Sequence, residues 1–193
     1  MIRKKPEEKS KTLNEDEISE KVESITGAYN ESDTSTFDKV EELVDLGPQV
    51  IDSQIKLLES DDIYDEWTAL YVLSRVGFYE DQKTRNKIIE AVKKEFNNDN
   101  PHIRLMAASV AFICGNSEGT DILIEGLSNE DMLILTEPPM PICQYCSTTL
   151  SYYFDQGFGD PCGNDEIVKK WRDWWEKNKG FYTWDDEQKK YVI

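Results

Sequence analysis

The apolar pattern of residues 61–77 (DDIYDEWTALYVLSRVG) returns in residues 99–115 (DNPHIRLMAASVAFICG). Asp61 aligns with Asp99, Ala69 with Ala107, Leu73 with Ala111 and Gly77 with Gly115. The offset of about 38 residues falls in the range of helical-repeat arrays. The surrounding chain keeps the same habit. From Phe37, the apolar positions Val40, Leu43, Val44 and Leu46 follow a helical spacing. Gly47-Pro48 then ends one helix and opens another, because Gly suits a helix end and Pro a first turn. Val50, Ile51, Ile55, Leu57 and Leu58 form the next apolar face. Further helices are predicted over residues 67–76, 84–96, 103–114 and 120–127, separated by short polar or Gly-containing turns.

The two ends differ from this middle. Residues 1–12 are rich in Lys, Glu and Pro and read as a disordered lead-in. Leu13, Ile18, Val22 and Ile25 make a thin helical stripe, which Asn14 caps and Gly27 stops. After Leu127, Pro138, Pro139 and Pro141 break the repeat with a longer connection. A helix is expected over residues 142–154, a loop over 155–163 and a last helix over 164–179. That last helix sets Ile167, Trp171, Trp174 and Trp175 on one face and suits a cap closing the end of an array. The resulting division is residues 1–36 as lead-in and weak helix, 37–180 as the repeat domain with its capping helix at 164–180, and 181–193 as a tail.

Two stretches carry a family resemblance. LVDLGPQVIDSQIKLLES followed by DDIYDEWTALYVLSRVG resembles a HEAT repeat of the PBS-lyase type: helix, Gly-Pro bend, helix, acidic turn, next helix. The likeness spans about residues 37–127. The C-terminal segment resembles the end of many prokaryotic HEAT-repeat proteins, which finish with a WRxWWExNK-like helix and a W-D…K-Y tail. Here these are Trp171, Arg172, Trp174, Trp175, Asn178, Trp184, Asp185, Lys190 and Tyr191. The resemblance implies an all-α fold, a short HEAT-like α-solenoid, a right-handed superhelix of hairpins with a Trp-rich capping helix. It implies no particular reaction. HEAT-like turns often carry an Arg that bonds along the stack; Arg104 holds that place after Asp99, whereas the matching position in the earlier copy is Glu66.

Charge narrows the function. A formal net charge of −17 repels phosphates and disfavours a nucleic-acid groove binder. Residues 37–80 hold 11 acidic and 3 basic side chains, and residues 105–168 hold ten acids and no Lys or Arg. The acidity therefore belongs to the repeats and the loops after them, which suits a face for a basic protein partner. The residues expected on it are Asp38, Glu41, Glu42, Asp45, Asp52, Glu66 and Glu80, with Glu130, Asp131 and Glu137 at the far end. No apolar run is long enough to span a membrane. As written the chain reads as cytoplasmic; a chain trimmed behind a signal or lipid anchor would be extracytoplasmic and look the same.

Chemistry-bearing residues are sparse. Cys143 and Cys146 form a CxxC, a spacing that can bind metal or form a redox pair, with Cys162 able to join. No βαβ unit surrounds it, and Cys114 at a helix end suits a core residue. Residues 155–166 fail as an EF-hand, since Gly157 and Gly159 bring no side-chain oxygen and Asp160 stands where Gly is needed. With His102 the sole histidine, a catalytic triad is hard to assemble. Enzymatic HEAT-like branches exist among bilin lyases and DNA-glycosylase relatives, but no residue set here points to either. The sequence thus predicts a non-enzymatic, cofactor-free interaction module, with a metal or redox site at Cys143 and Cys146 (joined by Cys162) as its alternative.

Overall fold

The computed structural model describes residues 12–25, 35–133 and 139–193. The expected disordered lead-in and Glu137 lie outside these residues, as does the Gly27 helix stop. Among the described residues the chain is mainly α-helical. The helices are α1 (Glu15–Ile25), α2 (Ser35–Asp45), α3 (Ile51–Leu57), α4 (Ile63–Gly77), α5 (Gln82–Val92), α6 (Pro101–Ile113), α7 (Thr120–Gly126), α8 (Ile142–Phe154) and α9 (Asp165–Asn178). Two short antiparallel hairpins complete it, β1 (Met132–Leu133) with β2 (Met140–Pro141), and β3 (Thr183–Asp185) with β4 (Lys190–Val192).

Local chemistry sets the boundaries. Asn14 and Glu17 form a reciprocal capping box at α1, each side chain accepting the other's backbone N–H at 2.9 Å. Asp62, Asp81, Asn100 and Asn164 cap α4, α5, α6 and α9 through side-chain oxygens. Gly47 takes φ +63 at the Gly-Pro bend, a conformation that disfavours residues with a Cβ.

Helix α6 is the centre of the core. Nearly every residue from Ile103 to Cys114 is buried, so the helix is covered on all sides rather than on one stripe. It packs on α4 and α5 before it and on α7 after it. Helix α4 in turn packs on α2 and α3, α8 on α7, and α9 on α7. Close approach needs small residues at the crossings. A Cβ on Gly126 would lie 2.6 Å from Cys146 Sγ and 2.5 Å from Leu105 Cδ1. The thin stripe on α1 packs well, burying Ile18, Val22 and Ile25.

The C-terminal residues, expected as a tail, fold back onto the core instead. Tyr191 is buried, stacks on Phe112 at 4.6 Å and donates its hydroxyl to the Phe112 carbonyl at 2.9 Å. Trp184 covers Gly115, whose φ of +98 and missing Cβ make room for the ring. Strands of three residues are too short to show an alternating pattern, so tertiary contact rather than periodicity defines this hairpin.

Candidate functional site: an acidic rim held by a disulfide

The acidic side chains fall into two groups with different surroundings. In α2–α4, Glu41, Glu42 and Asp52 each meet a cation of the chain. Glu41 accepts from the Tyr71 hydroxyl and from Arg75 Nη1 at 3.1 Å, and Arg75 also donates to the Tyr71 oxygen at 2.8 Å. Burial, then the bond to Glu41, pushes the Tyr71 hydroxyl well above its ordinary pKa. Glu42 pairs with Lys21 at 2.7 Å, tying α2 to α1. Asp52 pairs with Lys87, tying α3 to α5. Asp38 and Asp45 are exposed. Glu80 is half-buried, and its backbone carbonyl accepts from Arg85 at 2.7 Å.

Glu66 and Arg104 stand at equivalent positions of the two copies and converge on one turn. Arg104 donates to the carbonyls of Asn98 at 2.6 Å and Asp99 at 3.1 Å, so it closes its own turn instead of bonding a carboxylate along the stack. Glu66 reaches the Asn98 side chain from α4. Its carboxyl is raised above the ordinary value by partial burial, and next by the nearby charge of Glu95.

The far end is arranged differently. Ile142 and Cys143, at the start of α8, donate their N–H groups to the carbonyls of Asp131 at 2.9 Å and Asn129 at 2.8 Å. This holds residues 129–131 against the helix N-terminus. A disulfide then joins Cys143 to Cys162, with Cα atoms 5.4 Å apart. It folds the loop before α9 back to the same place, where Gly163 comes beside the Glu130 carboxylate. Glu130, Asp131, Asp160, Asp165 and Glu166 are all exposed here, and none of them makes an ion pair among the described residues. The nearby cation Arg172 donates to Ser128 Oγ at 3.1 Å.

The CxxC reading needs correction. Cys143 bonds Cys162 and not Cys146. One turn along α8, Cys146 is directed into the crossing with α7, beside Gly126 and Leu105. Full burial pushes its thiol far above the ordinary value, which keeps it protonated. Cys143, Cys146 and Cys162 therefore do not form a three-thiolate set, and no group of three metal-capable side chains occurs among the described residues. Cys114, at the end of α6, is buried and takes part in no disulfide.

Other polar groups serve packing. Trp171 and Trp175 on α9 are buried, and Trp175 Nε1 donates to Asp121 Oδ1 at 2.7 Å, so these aromatics pin α9 to α7. Arg85 is fully buried. It donates to the Glu80 carbonyl at 2.7 Å and to Gln82 Oε1 at 2.8 Å, and it pairs with Asp186 of the C-terminal hairpin at 2.8 Å. Arg85, Lys189 and the Trp184 indole together hold the Asp186 carboxyl well below the usual carboxylate range.

Sequence reasoning placed Glu130 and Asp131 at the far end but missed Asp160, Asp165 and Glu166. The signal was the cation-free run 105–168; the missing step was the pairing of Cys143 with Cys162, which brings that run together. Comparison of the chain with protein-family models, with curated proteins and with solved structures finds no match.

Proposed function

We propose that this chain is a non-enzymatic protein-interaction module whose docking surface is the acidic rim formed by Glu130, Asp131 and Asp160, with Asp165 and Glu166 beside it. In this reading the helical hairpins form a short HEAT-like solenoid that presents the rim at one end. The partner is a basic protein segment rich in Lys or Arg, attracted by charge complementarity and steered by the field of a strongly acidic chain. One observation carries the reading: these exposed carboxylates lie on two segments that the Cys143–Cys162 disulfide and the approach of Gly163 to Glu130 bring together, and none of them has an ion-pair partner among the described residues. Their repulsion is relieved when a cationic partner arrives, a term absent where the acids are already neutralised.

The test is a titration of the full chain against a fluorescent Lys/Arg-rich peptide, with a Glu/Asp-rich peptide as control. The expected result is saturable capture of the basic peptide alone, weakening steadily as salt is raised. Equal binding of both peptides, or binding indifferent to salt, would overturn the proposal.

A further inference from the structure

We propose that the Cys143–Cys162 disulfide is a redox switch that sets the acidic rim, so that the oxidised chain captures a basic segment and the reduced chain does not. The inference rests on the functional reading above and adds a regulation to the same surface.

The two sulfurs lie in unlike places. Cys143 is buried at the first turn of α8, whereas Cys162 is half-buried in the loop before α9. Cys162 is the more exposed residue of the two. Apart from the disulfide, the loop it anchors is held by noncovalent contacts, with Pro161 buried and Phe158 packed against the core. Ser147 Oγ reaches the Gly159 carbonyl only at 3.5 Å, and Phe158 rests edge-on against Trp171 with centroids 5.0 Å apart. Gly157, Gly159 and Gly163 give this loop a large conformational freedom to lose on ordering. The disulfide is the covalent link between the loop that carries Asp160 and the first turn of α8, which holds residues 129–131.

The chemistry balances with an external dithiol as reductant. One dithiol thiolate attacks Cys162 Sγ and expels Cys143 as a thiolate, which takes up a proton. The second dithiol sulfur attacks the mixed disulfide and releases Cys162, which is protonated in turn. Two electrons and two protons pass to the protein, and the dithiol leaves as its own disulfide. Cys146 does not intervene, because burial keeps it a thiol packed into the α7 crossing. A disulfide persists in oxidising surroundings and opens in reducing ones, so the same chain would carry an assembled rim in one and a loosened rim in the other.

The test measures two things on the full chain in three states: oxidised, reduced with dithiothreitol, and reoxidised with oxidised glutathione. Peptide titration reads capture of the fluorescent Lys/Arg-rich peptide. Limited proteolysis with mass spectrometry reads protection of residues 155–163. The expected result is affinity at least about tenfold weaker on reduction, with new cleavage in residues 155–163, both reversed on reoxidation. The double variant Cys143→Ser/Cys162→Ser should behave as the reduced chain under oxidising conditions. Equal capture by the oxidised and reduced chains would overturn the switch while leaving the functional reading standing. Cleavage on reduction without a change in capture would do the same. Capture in neither state would overturn the functional reading itself, and the switch with it.

Discussion

The carboxylates of α2 and α3 and those of the rim look alike in the sequence and behave differently in the fold. Glu41, Glu42 and Asp52 each meet a cation of the chain, Arg75, Lys21 and Lys87, and each pair links two helices. Glu130, Asp131 and Asp160 meet none among the described residues, though each bears the same formal charge. A count of acidic residues thus gives the net field, while the positions of the basic residues decide which acids pair within the fold and which carry no ion-pair partner among the described residues. The acids expected on a binding face differ in their surroundings in the same way. Asp38 and Asp45 stay exposed, but Glu41, Glu42 and Asp52 are spent on internal pairs.

Removing the disulfide should have the largest effect on stability. It closes a loop between residues 19 apart, and its loss is expected to cost about 2–4 kcal/mol. Chemical denaturation of the Cys143→Ser/Cys162→Ser variant checks this, and a loss below about 1 kcal/mol would mean that the rim is held by packing alone.

The next effect concerns Arg85. Asp186→Asn should cost about 1–2 kcal/mol, less than for a fully buried pair because Asp186 is 53% exposed. The pH dependence has a definite sign. The folded state holds Asp186 below its unfolded value, so its contribution is full above about pH 4 and falls away as pH drops toward the folded value. Acid unfolding should therefore narrow the gap between wild type and Asp186→Asn. A gap that stays constant down to about pH 2 would show that Asp186 acts through packing.

Smaller effects separate the internal pairs from the rim. Glu41→Gln keeps an acceptor for Tyr71 but removes the charge facing Arg75, and should lower stability by about 1 kcal/mol in thermal unfolding. Glu66→Gln should do the reverse. Glu66 is raised in the folded state by burial and by Glu95, so its ionised form opposes folding at neutral pH. The variant should gain a few tenths of a kcal/mol at pH 7, discounted for solvent screening, and the gain should vanish as pH falls through the raised pKa. A gain that persists in acid would assign it to some cause other than charge.

Much of the helical pattern was legible in the sequence. Gly47-Pro48 and Asn164 mark boundaries read from local chemistry, whereas Asp62, Asp81 and Asn100 start α4, α5 and α6 about two to four residues before the expected positions. The apolar run of α6 also foretold burial. The C-terminal hairpin was not legible, because Tyr191 and Trp184 gain their places from Phe112 and Gly115, more than 65 residues earlier. Arg85 read as an ordinary polar helix position, and nothing near it in sequence names Asp186 as its partner. The site was half legible. Glu130 and Asp131 stood out by charge, and Cys162 stood as a third member of the cysteine site, but a CxxC suggests local pairing and left Cys146 as the expected partner of Cys143.

The most direct test compares the two acidic groups at equal change of charge. Glu130→Lys/Asp131→Lys and Glu42→Lys/Asp52→Lys each alter the net charge by the same amount, and both are titrated with the fluorescent Lys/Arg-rich peptide at one salt concentration. The rim pair should weaken capture by more than about tenfold, and the α2–α3 pair by less than about twofold. Equal losses would show that the partner responds to total charge and would contradict a docking surface at the rim.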